Sequence, residues 1–270
     1  MSDSNAPQIN PGDIVGWPFL RIDYPTNPSN IAALLPPGIE PADNSNVHLS
    51  IYSFPVPDEP EFGVVTSIDA QYKGTEGLYV LGYGIDQESA IAISQELNGQ
   101  PKFPCEITYY RMGPSVTARC VHQGYTFLEV KGTSTGVQAN PEPHSEIEWW
   151  TKTSRAVGGA EKSYDFPPHV VKVKTDYRTI YQEGLDIELK LLDSPWDPIA
   201  RLLPIEGEVT AKLATMTYVD RTITLEGPLN PDAFWPHADS IGCWRWPGAF
   251  GGPRMACGSP HLSVRPTCPR

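Results

Sequence analysis

The sequence predicts a mainly β fold, α+β in class, in which antiparallel strands curve into a closed or half-closed sheet around a pocket and helices are few and short. Three observations predict it. Proline (29) and glycine (23) run through all 270 residues and leave little room for long uninterrupted helices. Short runs that alternate apolar and polar residues recur between turn-forming residues. In the first half, only the segment 87–98 carries a clear helical period.

The elements follow in order. Residues 1–13 are polar and expected to be loose. Asn30 to Leu35 reads as a short helix stopped by Pro36-Pro37-Gly38. Val47 to Phe54 alternates and reads as a strand, followed by a proline-rich acidic loop from Pro55 to Glu61. Val64–Tyr72 and Leu78–Ile85 read as an antiparallel hairpin with a long turn, Lys73 to Gly77. Asp86 suits an N-cap. The helix after it puts Ala90, Ile93 and Leu97 on one face, and Gly99 ends it. Glu106–Arg111, Ser115–His122 and Tyr125–Lys131 read as strands, Thr133–His144 as a loop. Further strands are expected at Ile147–Thr151, Val170–Thr175, Asp186–Leu192 and Glu208–Tyr218, with a helical turn at Asp197–Leu203. No internal repeat is visible. The chain divides into one domain, 14–245, and a Pro/Gly-rich tail, 246–270, expected to be poorly ordered.

Composition excludes several function classes. A net charge of −12 argues against non-specific nucleic-acid binding. No window reaches the roughly 18 apolar residues of a membrane span. The start, Met1-Ser2-Asp3-Ser4-Asn5, has neither a basic nor an apolar region, so no secretory signal is expected and the default is a cytoplasmic protein. Cys105, Cys120, Cys243, Cys257 and Cys268 form no C-x-x-C pair and read as idle thiols in a reducing compartment. Neither H-E-x-x-H, a phosphate loop nor a dinucleotide fingerprint occurs, and Gly82-Tyr83-Gly84 lacks the rest of the last pattern. No metal or cofactor is expected.

The residue that points to chemistry is Lys102, in Gly99-Gln100-Pro101-Lys102-Phe103-Pro104. The prolines restrict the backbone on both sides and remove donors. A lysine held in an apolar wall loses hydration, which favours its neutral form. A positioned neutral amine is what Schiff-base chemistry on ketones requires. Asn98 and Gln100 flank the Gly99 turn and can hydrogen-bond a polar substrate. Glu96 is either a pocket acid or a brace for the helix end. Of Trp149 and Trp150, only one can line a cavity, because neighbours on a strand face opposite ways. Asp69 and His48 are expected to face outward.

The run from Asp86 to Lys102 resembles the core motif of the acetoacetate decarboxylase family: an acidic turn, a short helix, then Gly-x-Pro-Lys. Gly74-Thr75-Glu76-Gly77-Leu78-Tyr79 resembles the family's G-x-x-G-x-Y turn. Tyr24 through Leu34-Leu35-Pro36 resembles its N-terminal segment, and Asp197-Pro198-Ile199-Ala200 a later element. The resemblance spans roughly residues 15 to 245. It implies an antiparallel, cone-like closed β-barrel in a homo-oligomer, with Lys102 matching the Schiff-base lysine. Acetoacetate decarboxylase is an established example of a lysine activated by desolvation or a second cation.

The departures from the family pattern are specific. Phe103 stands where the family has a second lysine, and Gln95 where its helix has arginine. Ser50 occupies the place of an early-strand carboxylate. The other pocket glutamate falls near Gly63, or on Glu61 if the register shifts by two. The N-terminal pocket arginine aligns near Trp17, with Arg21 close by. The resemblance implies a lyase acting on a small keto acid or ketone through a Schiff base, decarboxylating a β-keto acid. Two alternatives are an imine-forming aldolase, dehydratase or cyclase of specialised metabolism, and a non-catalytic small-molecule-binding barrel. The candidate site is therefore Lys102 as the catalytic group, with Asn98, Gln100, Phe103, Glu96, Ser50, Glu61 and Trp17 against the substrate.

Overall fold

A computed structural model describes residues 18–54, 61–158, 162–238 and Trp246. The elements are β1 (Pro18–Pro25), α1 (Pro28–Leu34), β2 (Glu40–Pro41), β3 (Asn46–Phe54), β4 (Glu61–Tyr72), β5 (Thr75–Ile85) and α2 (Ser89–Asn98). They continue with β6 (Lys102–Pro104), β7 (Glu106–Met112), β8 (Ser115–His122), β9 (Tyr125–Val137), β10 (His144–Arg155) and β11 (Tyr164–Leu191). The last are α3 (Ile199–Leu202), β12 (Thr210–Pro228) and α4 (Pro231–Ala238). Among the described residues no helix is long and apolar enough to cross a membrane.

The strand pairings form a ring. From β5 the order runs β4, β3, β1, β12 and β11, and β10 then pairs with both β11 and β5. Most pairs are antiparallel, but β10 meets β5 in parallel, and so does β6. β11 is 28 residues long and changes partner along its length. Its first part, 164–177, pairs with β10, and its last part, 183–191, pairs with β9. From there β9, β8 and β7 continue as a second layer.

Strand alternation gives the ring two different faces. Leu20, Ile22 and Tyr24 of β1 and Val47, Leu49 and Ile51 of β3 join a core shared with Tyr109, Ala118, Phe127 and Val130 of the second layer. The opposite face carries a second cluster that includes Phe19, Tyr52, Val65, Tyr83, Trp150 and Tyr177. Both faces of these strands are therefore covered, and the inner one combines aromatic with polar groups. A register shift between β4 and β5, at Thr66/Ser67, changes the phase of β5. Tyr79 and Leu81 face the outer core, whereas Tyr83 joins the inner cluster, the re-aiming that a bulge produces.

Several expectations change. β1, β2, β6 and α4 were not expected as elements. Helix α1 starts earlier than Asn30, because Asn27 caps it through Ser29 N (2.9 Å) and proline occupies its first turn. The β4–β5 turn is short: Tyr72 pairs with Thr75, and Lys73 and Gly74 take φ of 50° and 76°. Asp86 does not cap α2. Its carboxylate accepts from Phe62 N (2.8 Å), and Glu88 stands at the N-cap with no side-chain bond. The buried residue of α2 is Ile91, while Ile93 and Leu97 are exposed. The loop expected at Thr133–His144 shrinks, because β9 runs on to Val137 and β10 begins at His144. Val170–Thr175 and Asp186–Leu192 belong to one strand, β11. Trp246, the first residue of the expected tail, is buried in the outer core. Residues 247–270 and residues 1–13, expected to be loose, lie outside the described residues.

Gly99 fixes where α2 hands the chain to β6. Its φ is 67°, and a β-carbon there would stand 2.6 Å from Lys152 Cα and Thr151 O. Both are backbone atoms that cannot move aside. Gly99→Ala is expected to destabilise the protein by at least ~1–2 kcal/mol, the usual penalty for this conformation. Urea unfolding should show a lower midpoint at unchanged slope.

Candidate active site

The segment after α2 is tied to β5 by backbone bonds. Tyr83 N donates to Pro101 O (2.9 Å) and Cys105 N to Ile85 O (2.8 Å), which sets Lys102 opposite Tyr83. From within α2, Gln95 Nε2 donates to the Lys102 carbonyl. Gln95 thus braces the lysine's own backbone. Neighbours on β6 face opposite ways: Lys102 faces the inner cavity, and Phe103 packs in the outer core, 4.7 Å from the His122 ring.

The cavity has a volume of about 540 Å³. Lys102, Glu61, Ser50, Asn98 and Gln100 all line it, so five of the expected site residues converge there. Phe103 does not, because its strand parity sends it outward. Glu96 is exposed and absent from the lining, on the solvent side of α2. Trp17 lies outside the described residues. Of the two adjacent tryptophans, Trp150 lines the cavity and Trp149 packs in the outer core.

Lys102 is buried, 8% exposed, and its Nζ lies 3.4 Å from Glu61 Oε2. Tyr52 donates to the other oxygen, Oε1, at 2.8 Å. At Gly63, two residues on from Glu61, a β-carbon would stand 2.1 Å from the Tyr52 ring.

Other charged groups on the wall come from distant strands. Arg21 on β1 makes a two-pronged pair with Glu146 on β10, with Nη2–Oε2 at 2.9 Å. Burial works to raise the Glu146 carboxyl, but the Arg21 charge overrides it and holds it below the usual range. Two residues along β10, Glu148 also faces the cavity. The Tyr83 hydroxyl stands 2.6 and 2.7 Å from its two oxygens. Burial raises this carboxyl, and the Tyr83 bond and the Arg221 charge only partly offset it. Arg221 lines the cavity from β12.

Asp23, His48 and Asp69 form a cluster at the wall. His48 Nδ1 is 2.6 Å from Asp23 Oδ1, and Nε2 is 3.0 Å from Asp69 Oδ1. Carboxylates only accept, so both ring nitrogens carry protons and His48 is a cation with no acceptor left. Burial disfavours that charge, but the bonds to Asp23 and Asp69 outweigh it and push the His48 pKa up to about 9. The expectation that His48 and Asp69 face outward is thereby corrected: both are half-buried, and His48 lines the cavity. Neither is placed as a base.

These partners escaped sequence reasoning for one reason. Arg21-x-Asp23, His48-x-Ser50-x-Tyr52 and Glu146-x-Glu148 each place polar residues two apart on a strand, which normally marks a solvent face. Here that face is the cavity wall. Cys105 and Cys120 are free and buried, and the remaining cysteines lie outside the described residues. Among the described residues no group of three His, Cys, Asp or Glu side chains is placed to hold a metal ion.

The family model of acetoacetate decarboxylase (ADC) matches residues 2–228. Among solved structures, an acetoacetate decarboxylase is similar at 15% identity and a TM-score of 0.68, over 78% of this chain and 87% of that chain. An acetoacetate decarboxylase from Legionella pneumophila is similar at 17% identity and a TM-score of 0.64, over 85% and 93%. The enduracididine biosynthesis enzyme MppR, complexed with the condensation product of pyruvate and imidazole 4-carboxaldehyde, is similar at 14% identity and a TM-score of 0.61, over 77% and 87%. At such identities the likeness is one of fold. No curated protein matches the chain.

The His48 cluster has a pH signature. Its pKa, about 9 when folded against about 6.5 when unfolded, contributes stability that is complete below pH 6.5. That contribution is lost as pH rises through about 9. Urea unfolding of the wild type should weaken from pH 6.5 to 9.5, and His48→Gln should lose this part of the slope.

Proposed function

Because the chain belongs to the acetoacetate decarboxylase family, we propose that it is a lyase whose Lys102 amine forms a Schiff base with a small keto acid and decarboxylates a β-keto acid. One observation carries the reading: a buried lysine on the wall of a sizeable cavity, with a carboxylate 3.4 Å from its nitrogen. The chemistry needs an amine that gives up its proton and then attacks a carbonyl carbon. Glu61 stands within reach of that proton, and Tyr52 holds Glu61 in place. The amine adds to the ketone, and water leaves to give an iminium. The carboxylate β to it then releases carbon dioxide, and the bond's electrons pass into the iminium to form an enamine. Protonation and hydrolysis return the ketone and the free lysine. Asn98, Gln100 and Ser50 line the same cavity and would hold the polar parts of the substrate.

A second reading is favoured by size. The cavity, about 540 Å³, gives more room than a four-carbon keto acid needs. With Ser50 in place of a carboxylate, the enamine could instead add to an aldehyde and lose water, as an aldolase–dehydratase. Both readings share the iminium. To either we join a cone-like closed barrel, a homo-oligomeric assembly and a cytoplasmic location. A non-catalytic binding barrel is the outcome that the following test would expose.

Incubation with acetoacetate or pyruvate, each followed by borohydride, should add the reduced adduct mass to the Lys102 peptide. Lys102→Ala should abolish it, and Glu61→Gln should slow its formation by ~10²–10⁴-fold. Labelling by pyruvate alone would select the second reading. A folded protein labelled by neither carbonyl would leave only the binding barrel.

A further inference from the structure

Resting on that imine reading, we propose that Glu148, held by Tyr83, is the acid that delivers a proton to the substrate carbon. Glu148 stands apart from the other carboxylates of the cavity. Glu61 contacts the lysine, Glu146 is clamped by Arg21, and Asp23 is bound to His48. Glu148 contacts the Tyr83 phenol, and Arg221, on the same cavity wall, acts on it through its charge.

The contact geometry fits a neutral acid. The Tyr83 oxygen lies 2.6 and 2.7 Å from the two Glu148 oxygens, yet a phenol has a single proton to give. A protonated carboxyl satisfies both short contacts at once: the phenol donates to the carbonyl oxygen, and the carboxyl hydroxyl donates back to the phenol oxygen. Two carboxylates on one strand are thereby driven apart. Arg21 keeps Glu146 ionised, and the Glu146 charge, next to a buried Glu148, favours the proton on the latter. Neighbouring carboxyls with opposed surroundings are the usual arrangement of acid and anion in one site.

Position suits the task as well. Tyr83 and Lys102 are register partners on adjacent strands, and both face the cavity. The acid held by Tyr83 therefore shares a wall with the amine, and Glu61 is the amine's own contact. In the step itself, the enamine's C=C electrons form a C–H bond with the Glu148 proton. The O–H bond breaks, its electron pair stays on the carboxylate, and the nitrogen becomes an iminium again. Water hydrolyses the iminium to ketone and free lysine, and solvent reprotonates Glu148. One proton enters per carbon dioxide released, so the step balances.

The test separates imine formation from proton transfer. Glu148→Gln keeps the size and a hydrogen bond to Tyr83 but has no acid proton. The probes are pyruvate and acetone, with borohydride trapping at Lys102 and exchange of methyl hydrogens in D₂O followed by NMR. Trapping in Glu148→Gln should stay near wild type while exchange falls by ~10²-fold or more. Exchange starts with a methyl proton leaving the iminium for the Glu148 carboxylate, the reverse of the step above, so in the wild type it should rise with pH as the acid ionises. The residual exchange of Glu148→Gln should lack that rise, and Glu148→Asp should restore part of the rate. Exchange within a few-fold of wild type in Glu148→Gln would overturn the assignment. So would loss of trapping together with exchange, which would make Glu148 a builder of the site. A wild type that neither carbonyl labels would instead overturn the imine reading, and this assignment with it.

Discussion

The contact on which the site depends is that between the Lys102 amine and the Glu61 carboxylate, buried on the wall of a cavity. Withdrawing two opposite charges from water is costly, and their attraction repays it only when further hydrogen bonds hold the geometry. The fold supplies those bonds on both sides. Tyr52 holds Glu61, and the strand bonds of Pro101 and Cys105 to β5, with Gln95 on the Lys102 carbonyl, hold the lysine. An amine kept in such a place has a chemical use more readily than a structural one, since an apolar residue would pack there at less cost.

The rest of the wall shows how the fold tolerates so many polar groups inside. Arg21 answers Glu146, and two aspartates answer His48. Each pair joins different strands: β1 to β10, and β3 to both β1 and β4. The pairs therefore offset much of one another's charge and tie strands of the ring together. Glu148 sits with Tyr83 instead, and its burial and the nearby Glu146 charge favour a proton there despite the Tyr83 bond and Arg221.

Sequence reasoning reached some of this and missed the rest for identifiable reasons. Strands β3, β4, β5 and β8 were legible because their apolar residues alternate against the outer core, and Gly99 marked the end of α2. Lys102 and Glu61 were reached through local motif and resemblance. Phe103 and Glu96 were placed in the site by proximity in sequence, but strand parity and helix rotation send them elsewhere. The long strand β11 reads in the sequence as two, Val170–Thr175 and Asp186–Leu192, whereas the structure carries one strand through Pro167, Pro168 and Gly184. Glu146 and Glu148 carry no local sign of their role, because their partners lie 125 and 65 residues away. The general error was to equate a polar strand face with solvent. In a ring of strands the polar face can look inward, and His48 and Asp69 are read correctly only once the ring is known.

The most direct measurement is a crystal structure of the protein after reduction with borohydride in the presence of pyruvate. The account predicts continuous density from Lys102 Nζ to the former carbonyl carbon, with the ligand lying in the cavity beside Glu61. Density attached to a different lysine, or an unmodified Lys102 beside a loosely bound ligand, would contradict it.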